Sequence, residues 1–237
     1  MQIPLHENFW WAAPVRGALM PYLCLLLSGA ALLVNGLATL GRLPRQDAAV
    51  LSLVVGSVQL SLAVGYVIGA DGSADALKSA AGMVLFGLTY AYAGLDVILG
   101  LGSKGLGWFC GMVAFVGMLL AAAWLRDDPL LAVLWLGWSA LWALFFVSMA
   151  LGLAQVDVFT GWALVLASQA TATVPAVLGI AGWWPRSLNA AAGAAVLLTG
   201  LFLAAGVLAR RTQARQTQAH GIQAEHLQAR HGTSAPR

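Results

Sequence analysis

The sequence predicts an all-α integral membrane protein. Of its 237 residues, 60% are hydrophobic and only 9% are charged. Soluble domains carry about a quarter charged residues and under half apolar ones. The apolar residues also gather in long unbroken runs, and a membrane helix needs about 20 of them in succession.

Seven stretches qualify, in chain order Tyr22–Gly41, Ala48–Ala70, Ser79–Leu101, Gly105–Leu125, Pro129–Ala154, Val158–Gly182 and Leu188–Ala209. Asp96 is the one acidic or basic side chain well inside any of them. Turn formers separate them: Gly41-Arg42-Leu43-Pro44, Asp71-Gly72-Ser73, Gly102-Ser103-Lys104, Asp127-Asp128-Pro129 and Trp184-Pro185. Such short connections between antiparallel helices predict one compact bundle.

Cytoplasmic loops carry the excess of Lys and Arg. With the first loop inside, Arg42, Arg45, Lys104, Arg210, Arg211, Arg215, Arg230 and Arg237 are cytoplasmic, and Arg16, Lys78, Arg126 and Arg186 are external. The N-terminus is then outside and the C-terminus inside. Residues 1–19 hold His6, Glu7, Trp10, Trp11 and Arg16, but not the basic start and cleavage site of a signal peptide. They read as an N-terminal extension. Residues 210–237, rich in Gln, Ala, Arg and His, read as a mobile cytoplasmic tail. The net charge of +3 is too small and too scattered to suggest a nucleic-acid partner.

The spans contain no His and no Lys, since all four histidines (His6, His220, His226, His231) lie in the terminal segments. That removes a retinal Schiff base, a membrane haem, an intramembrane serine protease and a zinc site. No nucleophile–base pair can be assembled in the spans, so no enzyme is expected. No cofactor or metal is expected either. Cys24 and Cys110 sit in apolar runs and read as small hydrophobes. A proton- or ion-coupled transporter shows ionisable groups in its bundle, and Asp96 alone is thin support. A neutral, aromatic, lightly polar interior suits a neutral solute.

Two aromatic stripes stand out. Trp135, Trp138 and Trp142 fall on one face of the fifth span, continued by Phe145, and Phe86 and Tyr90 share a face of the third with Thr89 beside them. One reading makes these packing or lipid-facing aromatics. The other makes them facing walls of a narrow slot for a flat amide, because these tryptophans lie in mid-span and aromatic belts belong at span ends. In such a slot, N–H groups would pass over ring faces and meet Tyr O–H and Thr.

The segments Leu32-Leu33-Val34-Asn35-Gly36, Leu85-Phe86-Gly87-Leu88-Thr89-Tyr90-Ala91-Tyr92, Trp135-Leu136-Gly137-Trp138-Ser139-Ala140-Leu141-Trp142, Phe159-Thr160-Gly161-Trp162 and Val174-Pro175-Ala176 occur in this order. Together they resemble the AmiS/UreI family of urea and short-chain amide channels, over residues 20–185. The resemblance implies a six-helix channel bundle with one pore per protomer, assembled as a homohexamer in a bacterial cytoplasmic (inner) membrane. It also implies a small neutral solute that feeds a cytoplasmic amidase or urease. The implied pore wall is Phe86, Tyr90, Trp138 and Trp142, with Trp135 nearby and Leu25 and Leu32 from the first helix. Gln169 stands where urea-channel members carry Glu, and Asp96 where Asn is common. Asp96 has two readings: a structural contact with Asn35, Thr89 or Lys104, or the titrating group of a coupled transporter. Residues 186–209 add a seventh helix beyond the family's usual end. Met20 aligns with its usual start, so residues 1–19 are an extension or an early start.

The resulting expectation is a passive channel for urea or short-chain aliphatic amides. It is expected not to be acid-gated, because no predicted outer loop carries His, the side chain that titrates near neutrality. The alternatives are a coupled transporter of a small weak acid or amine using Asp96, and a membrane scaffold or sensor with the Arg-rich tail as its output.

Overall fold

The computed structural model describes residues 13–70 and 72–232. Of the features expected above, His6, Glu7, Trp10, Trp11, Asp71 and Arg237 lie outside the described residues. The described chain is helical throughout: α1 (Ala13–Thr39), α2 (Arg45–Gly69), α3 (Ala74–Leu99), α4 (Lys104–Trp124), α5 (Pro129–Phe145), α6 (Asp157–Ala167), α7 (Val174–Ile180) and α8 (Leu188–Gly232). A π-helical turn, Phe146–Ala150, extends α5. A second π-helical stretch, Ser168–Thr173, joins α6 to α7 into one span. Among the described residues, seven helices are long and apolar enough to cross a membrane, so the protein is multi-pass.

The turns follow local chemistry. Ser73 caps α3 by accepting from Ala76 N at 3.3 Å. Asp128 caps α5 by accepting from Leu131 N at 2.9 Å, with Pro129 at the first helical position, where its missing N–H costs nothing. Pro175 explains the second π segment. It has no N–H to continue the i→i−4 ladder, and its ring crowds the carbonyl one turn back. The helix yields by one residue, and Val174 N–H reaches back to Gln169 O.

The six first spans close a ring. α1 packs against α2 on one side and against α6, the π segment and α7 on the other. α2 packs on α3 and α4 on α5, and the α3–α4 and α5–α6 contacts complete the circuit. Without a hydrophobic drive inside lipid, close packing needs small residues. Gly36 is such a site, because a Cβ there would lie 2.9 Å from Gly161 O of α6.

α8 lies outside this ring, against α5 and α6. Leu198 covers Gly137, Phe159 meets Phe202 with ring centroids 6.3 Å apart, and Trp162 Nε1 donates to Thr212 Oγ1 at 3.1 Å. The helix that contains the seventh span continues past Ala209 to Gly232. Arg, Gln and Ala are all good helix formers, and no proline interrupts them. α1 likewise begins at Ala13, ahead of Met20.

Candidate functional site

α3 and α5 bring their aromatic stripes together inside the ring. Trp135, Trp138 and Trp142 are buried, as are Phe86 and Tyr90. Phe86 is the hub. Its ring centroid lies 4.7 Å from that of Trp142, 5.2 Å from Trp138 in an edge-on arrangement, and 5.9 Å from Trp135. Two of these indole N–H groups have partners, as buried ones require. Trp142 Nε1 donates to Thr89 Oγ1 at 3.2 Å, and Trp138 Nε1 to Thr171 Oγ1 at 3.1 Å. The Tyr90 hydroxyl donates to Ser28 O at 3.4 Å. The two threonines pass their own protons to Leu85 O and Ala167 O. These donors of the slot are therefore spent within the protein. The slot presents ring faces and acceptor oxygens, not the free Tyr O–H expected from the sequence.

Two vestibules flank the cluster. The upper one, of about 530 Å³, opens at the end of the bundle bearing Ser73 and Asp128, and reaches Leu25, Phe86, Trp135 and Trp138. The lower one, of about 450 Å³, opens beside Arg45 and Ser103 and reaches Leu32, Thr89, Tyr90 and Phe145. Between them lies a gap of about 20 Å³, room for about one water. Phe86, Tyr90, Trp138 and Trp142 wall it, with Leu32, Thr89, Leu141 and Phe145, and no charged side chain lines it.

The rims are more polar. At the upper mouth, Lys78 Nζ lies 2.7 Å from Asp75 and 3.4 Å from Asp127, and 3.9 Å from the Trp124 ring centroid. Trp184 Nε1 donates to Asp128 Oδ2 at 2.7 Å. In the lower vestibule, Asn35 Nδ2 donates to Ser52 Oγ at 2.7 Å and Ala31 O at 2.8 Å. Ser148 donates to Asp157, which also lines this chamber.

Ten of the eleven residues singled out in the sequence border this path: Leu25, Leu32, Asn35, Phe86, Thr89, Tyr90, Asp96, Trp135, Trp138 and Trp142. Asp96 does not bond Asn35, Thr89 or Lys104. It accepts from Ser103 N at 2.9 Å and from the Ser103 hydroxyl, closing the α3–α4 turn, where Ser103 holds an uncommon positive φ of 61°. Gln169 borders none of these chambers. It is exposed on the π segment, and its Nε2 bonds Ser168 Oγ at 3.3 Å. The π segment changes the facing, so Thr171 is the side chain that meets Trp138. Thr171, Ser28 and Gln59 escaped the sequence reading. The signals were present: Pro175 marked a disturbed helix, and Gln59 is a lone amide amid the aliphatic residues of α2.

Residues 20–183 match the AmiS/UreI transporter family. The chain belongs to that family. The chain is 41% identical over 187 residues to a Rhodococcus erythropolis protein named as the transporter AmiS2, covering 78% of this chain and 91% of that one. It is 32% identical over 173 residues to a protein of Mycolicibacterium smegmatis named as an amidate substrates transporter, covering 71% and 80%. The crystal structure of the urea channel of Helicobacter pylori superposes with a TM-score of 0.64 at 26% identity, over 70% of this chain and 99% of that one. The closed-state cryo-electron microscopy structure of the same channel gives 0.61 at 25% identity, over 69% and 99%. AmiS/UreI membership makes this a membrane transport protein and not an enzyme. The family match ends before α8 begins.

Proposed function

We propose that each protomer is a passive channel for urea or a short-chain aliphatic amide, which crosses through the slot between Phe86 and the α5 tryptophans. The observation that carries this is the hourglass: two vestibules meeting at a gap of about 20 Å³ that is walled by aromatic rings and free of charge. An ion stripped of water there would find no compensating charge, whereas a flat neutral amide trades water for ring faces and threonine oxygens. The names of the relatives, an amidate substrates transporter and a urea channel, support this solute class.

The coupled-transport alternative needs Asp96 to bind and release an ion. Its carboxylate is instead occupied by both donors of Ser103, which favours a structural role. The same proposal has the N-terminus outside, the C-terminus in the cytoplasm of a bacterial cell, a homohexameric ring, and a cytoplasmic amidase or urease that consumes the solute. The path residues proposed are those bordering the hourglass, without Gln169, and Thr171 supports the path from behind by holding the Trp138 indole.

The experiment is stopped-flow shrinkage of proteoliposomes across urea, formamide, acetamide and propionamide. Solute entry down its own gradient, with no sodium or proton gradient imposed, is the expected result. Flux that requires either gradient rules out the passive channel.

A further inference from the structure

Gln59 lies near the middle of α2 and is wholly buried. Its Nε2 donates to Cys24 O at 2.6 Å and to Ser28 Oγ at 2.8 Å, both on α1. The Cys24 carbonyl only accepts, so the amide cannot be turned over without setting two acceptors against each other. Oε1 is therefore left with no donor. A buried amide oxygen without a partner is a cost to stability. Leucine fills a similar volume and carries no such cost, so stability alone is a poor account of this residue.

Its surroundings suggest what the amide does. Ser28, which Gln59 grips by the side chain, offers its carbonyl to the Tyr90 hydroxyl. Tyr90 walls the narrow gap, and Leu25 and Leu32, one turn to either side of Ser28, are the α1 wall of the path. Gln59 itself borders none of the chambers. A second clasp lies about two turns away on both helices, where Asn35 of α1 donates to Ser52 of α2. Buried small residues lie at helical spacing from these two contacts, Ala31 on α1 and Ala48 and Ala63 on α2. Such residues permit close approach but do not by themselves choose a register, whereas a pair of directional bonds does.

We propose that Gln59 is a positioning residue for selectivity: from behind the pore wall it locks α1 in register, so that Ser28 holds Tyr90 and the gap keeps its width. This inference rests on the conduction path proposed above. It predicts that loss of the amide widens or blurs the gap without weakening the fold.

The test compares Gln59→Leu, Tyr90→Phe and the double variant in reconstituted full-length protein, reading the urea-to-propionamide flux ratio and the melting temperature. Gln59→Leu strands no partner, because Cys24 O keeps the Ser28 hydroxyl as a donor at 3.0 Å. Its melting temperature should be no lower than wild type, while the ratio falls about threefold or more. Tyr90→Phe should lower the ratio similarly, and the double variant should fall no further than the lower single, since both act through one contact. Gln59→Asn, which withdraws the amide from Ser28 but keeps its polarity, should shift the ratio the same way and stands in if the leucine variant does not fold. An unchanged ratio in a folded Gln59 variant, or fully additive effects in the double, overturns the proposal. Wild-type protein silent toward urea and every amide overturns the conduction reading, and this inference with it.

Discussion

At the scale of single residues, the decisive groups are two tryptophans whose N–H groups are committed within the protein. Trp138 and Trp142 keep their rings in the gap because Thr171 and Thr89 take their N–H groups. Trp138→Ala or Trp142→Ala removes an indole from a gap of about 20 Å³. Buried Trp→Ala changes cost about 3–5 kcal/mol, so the melting temperature should drop. Propionamide flux should rise about fivefold or more relative to urea, since a pocket enlarged by several carbons no longer sorts by one methylene. Unchanged selectivity in folded protein would reduce both rings to packing. Thr89→Val keeps shape but takes the acceptor from a buried N–H, which costs about 1–3 kcal/mol. The expected readout is a lower melting temperature together with a changed preference among amides, because the Trp142 N–H then becomes free to meet the solute carbonyl. A thermal loss with no change in preference would place this hydrogen bond outside the path.

At the scale of elements, the bundle depends on helices that touch backbone to backbone. A Cβ on Gly94 of α3 would lie 2.7 Å from Ala49 O and 2.8 Å from Leu53 N of α2, and neither backbone atom can swing aside. Gly94→Ala should therefore destabilise by about 1–3 kcal/mol through overpacking, visible as a lower melting temperature in detergent. A neutral result would show that α2 and α3 slide freely. The irregular element is the sixth span, where Pro175 forces the π segment that turns Thr171 inward and leaves Gln169 exposed. Gln169→Ala should accordingly leave urea flux within about twofold of wild type, as expected of a side chain outside the path. A large loss of flux would return Gln169 to the pathway. α8 adds apolar contacts through Leu198 and Phe202 but none to the vestibules.

At the scale of the whole molecule, the six-span ring encloses the complete path. Removing everything after Pro185 should leave a conducting core with a lower melting temperature, because Trp162, Phe159 and Gly137 lose their covers. Failure of that core to fold would make α8 a structural member of the channel. Deletion of residues 2–19 should leave conduction intact, since among the described residues the chambers are bordered only by positions after Met20. Flux should also differ by less than about twofold between pH 5 and pH 7.5, because no histidine is found among the described residues that line the chambers. A steep rise below pH 6 that survives deletion of residues 2–19 would mean that one of the acids at the upper mouth, Asp75, Asp127 or Asp128, gates the pore.

The membrane class, the seven spans and the two aromatic stripes were legible in the sequence, because the bilayer imposes length and apolarity on each span by itself. The stripes of Trp135, Trp138, Trp142, Phe86 and Tyr90 could be read because a regular helix maps spacing onto a face. Where the helix is irregular that map fails: on the π segment Gln169 is exposed while Thr171 meets Trp138. Partners also lay beyond reach: one spacing on α3 could not say that Asp96 would close the turn at Ser103 and not bond Asn35. Nor could it show Gln59 holding Ser28 from the far side of α1. Those choices depend on which helices become neighbours and at what register, and a helix pattern in one segment carries no information about the rotation of the next. The sequence by itself determined what each helix is and which face it buries; only the tertiary structure decided which face meets which, because that is set by the joint packing of all six.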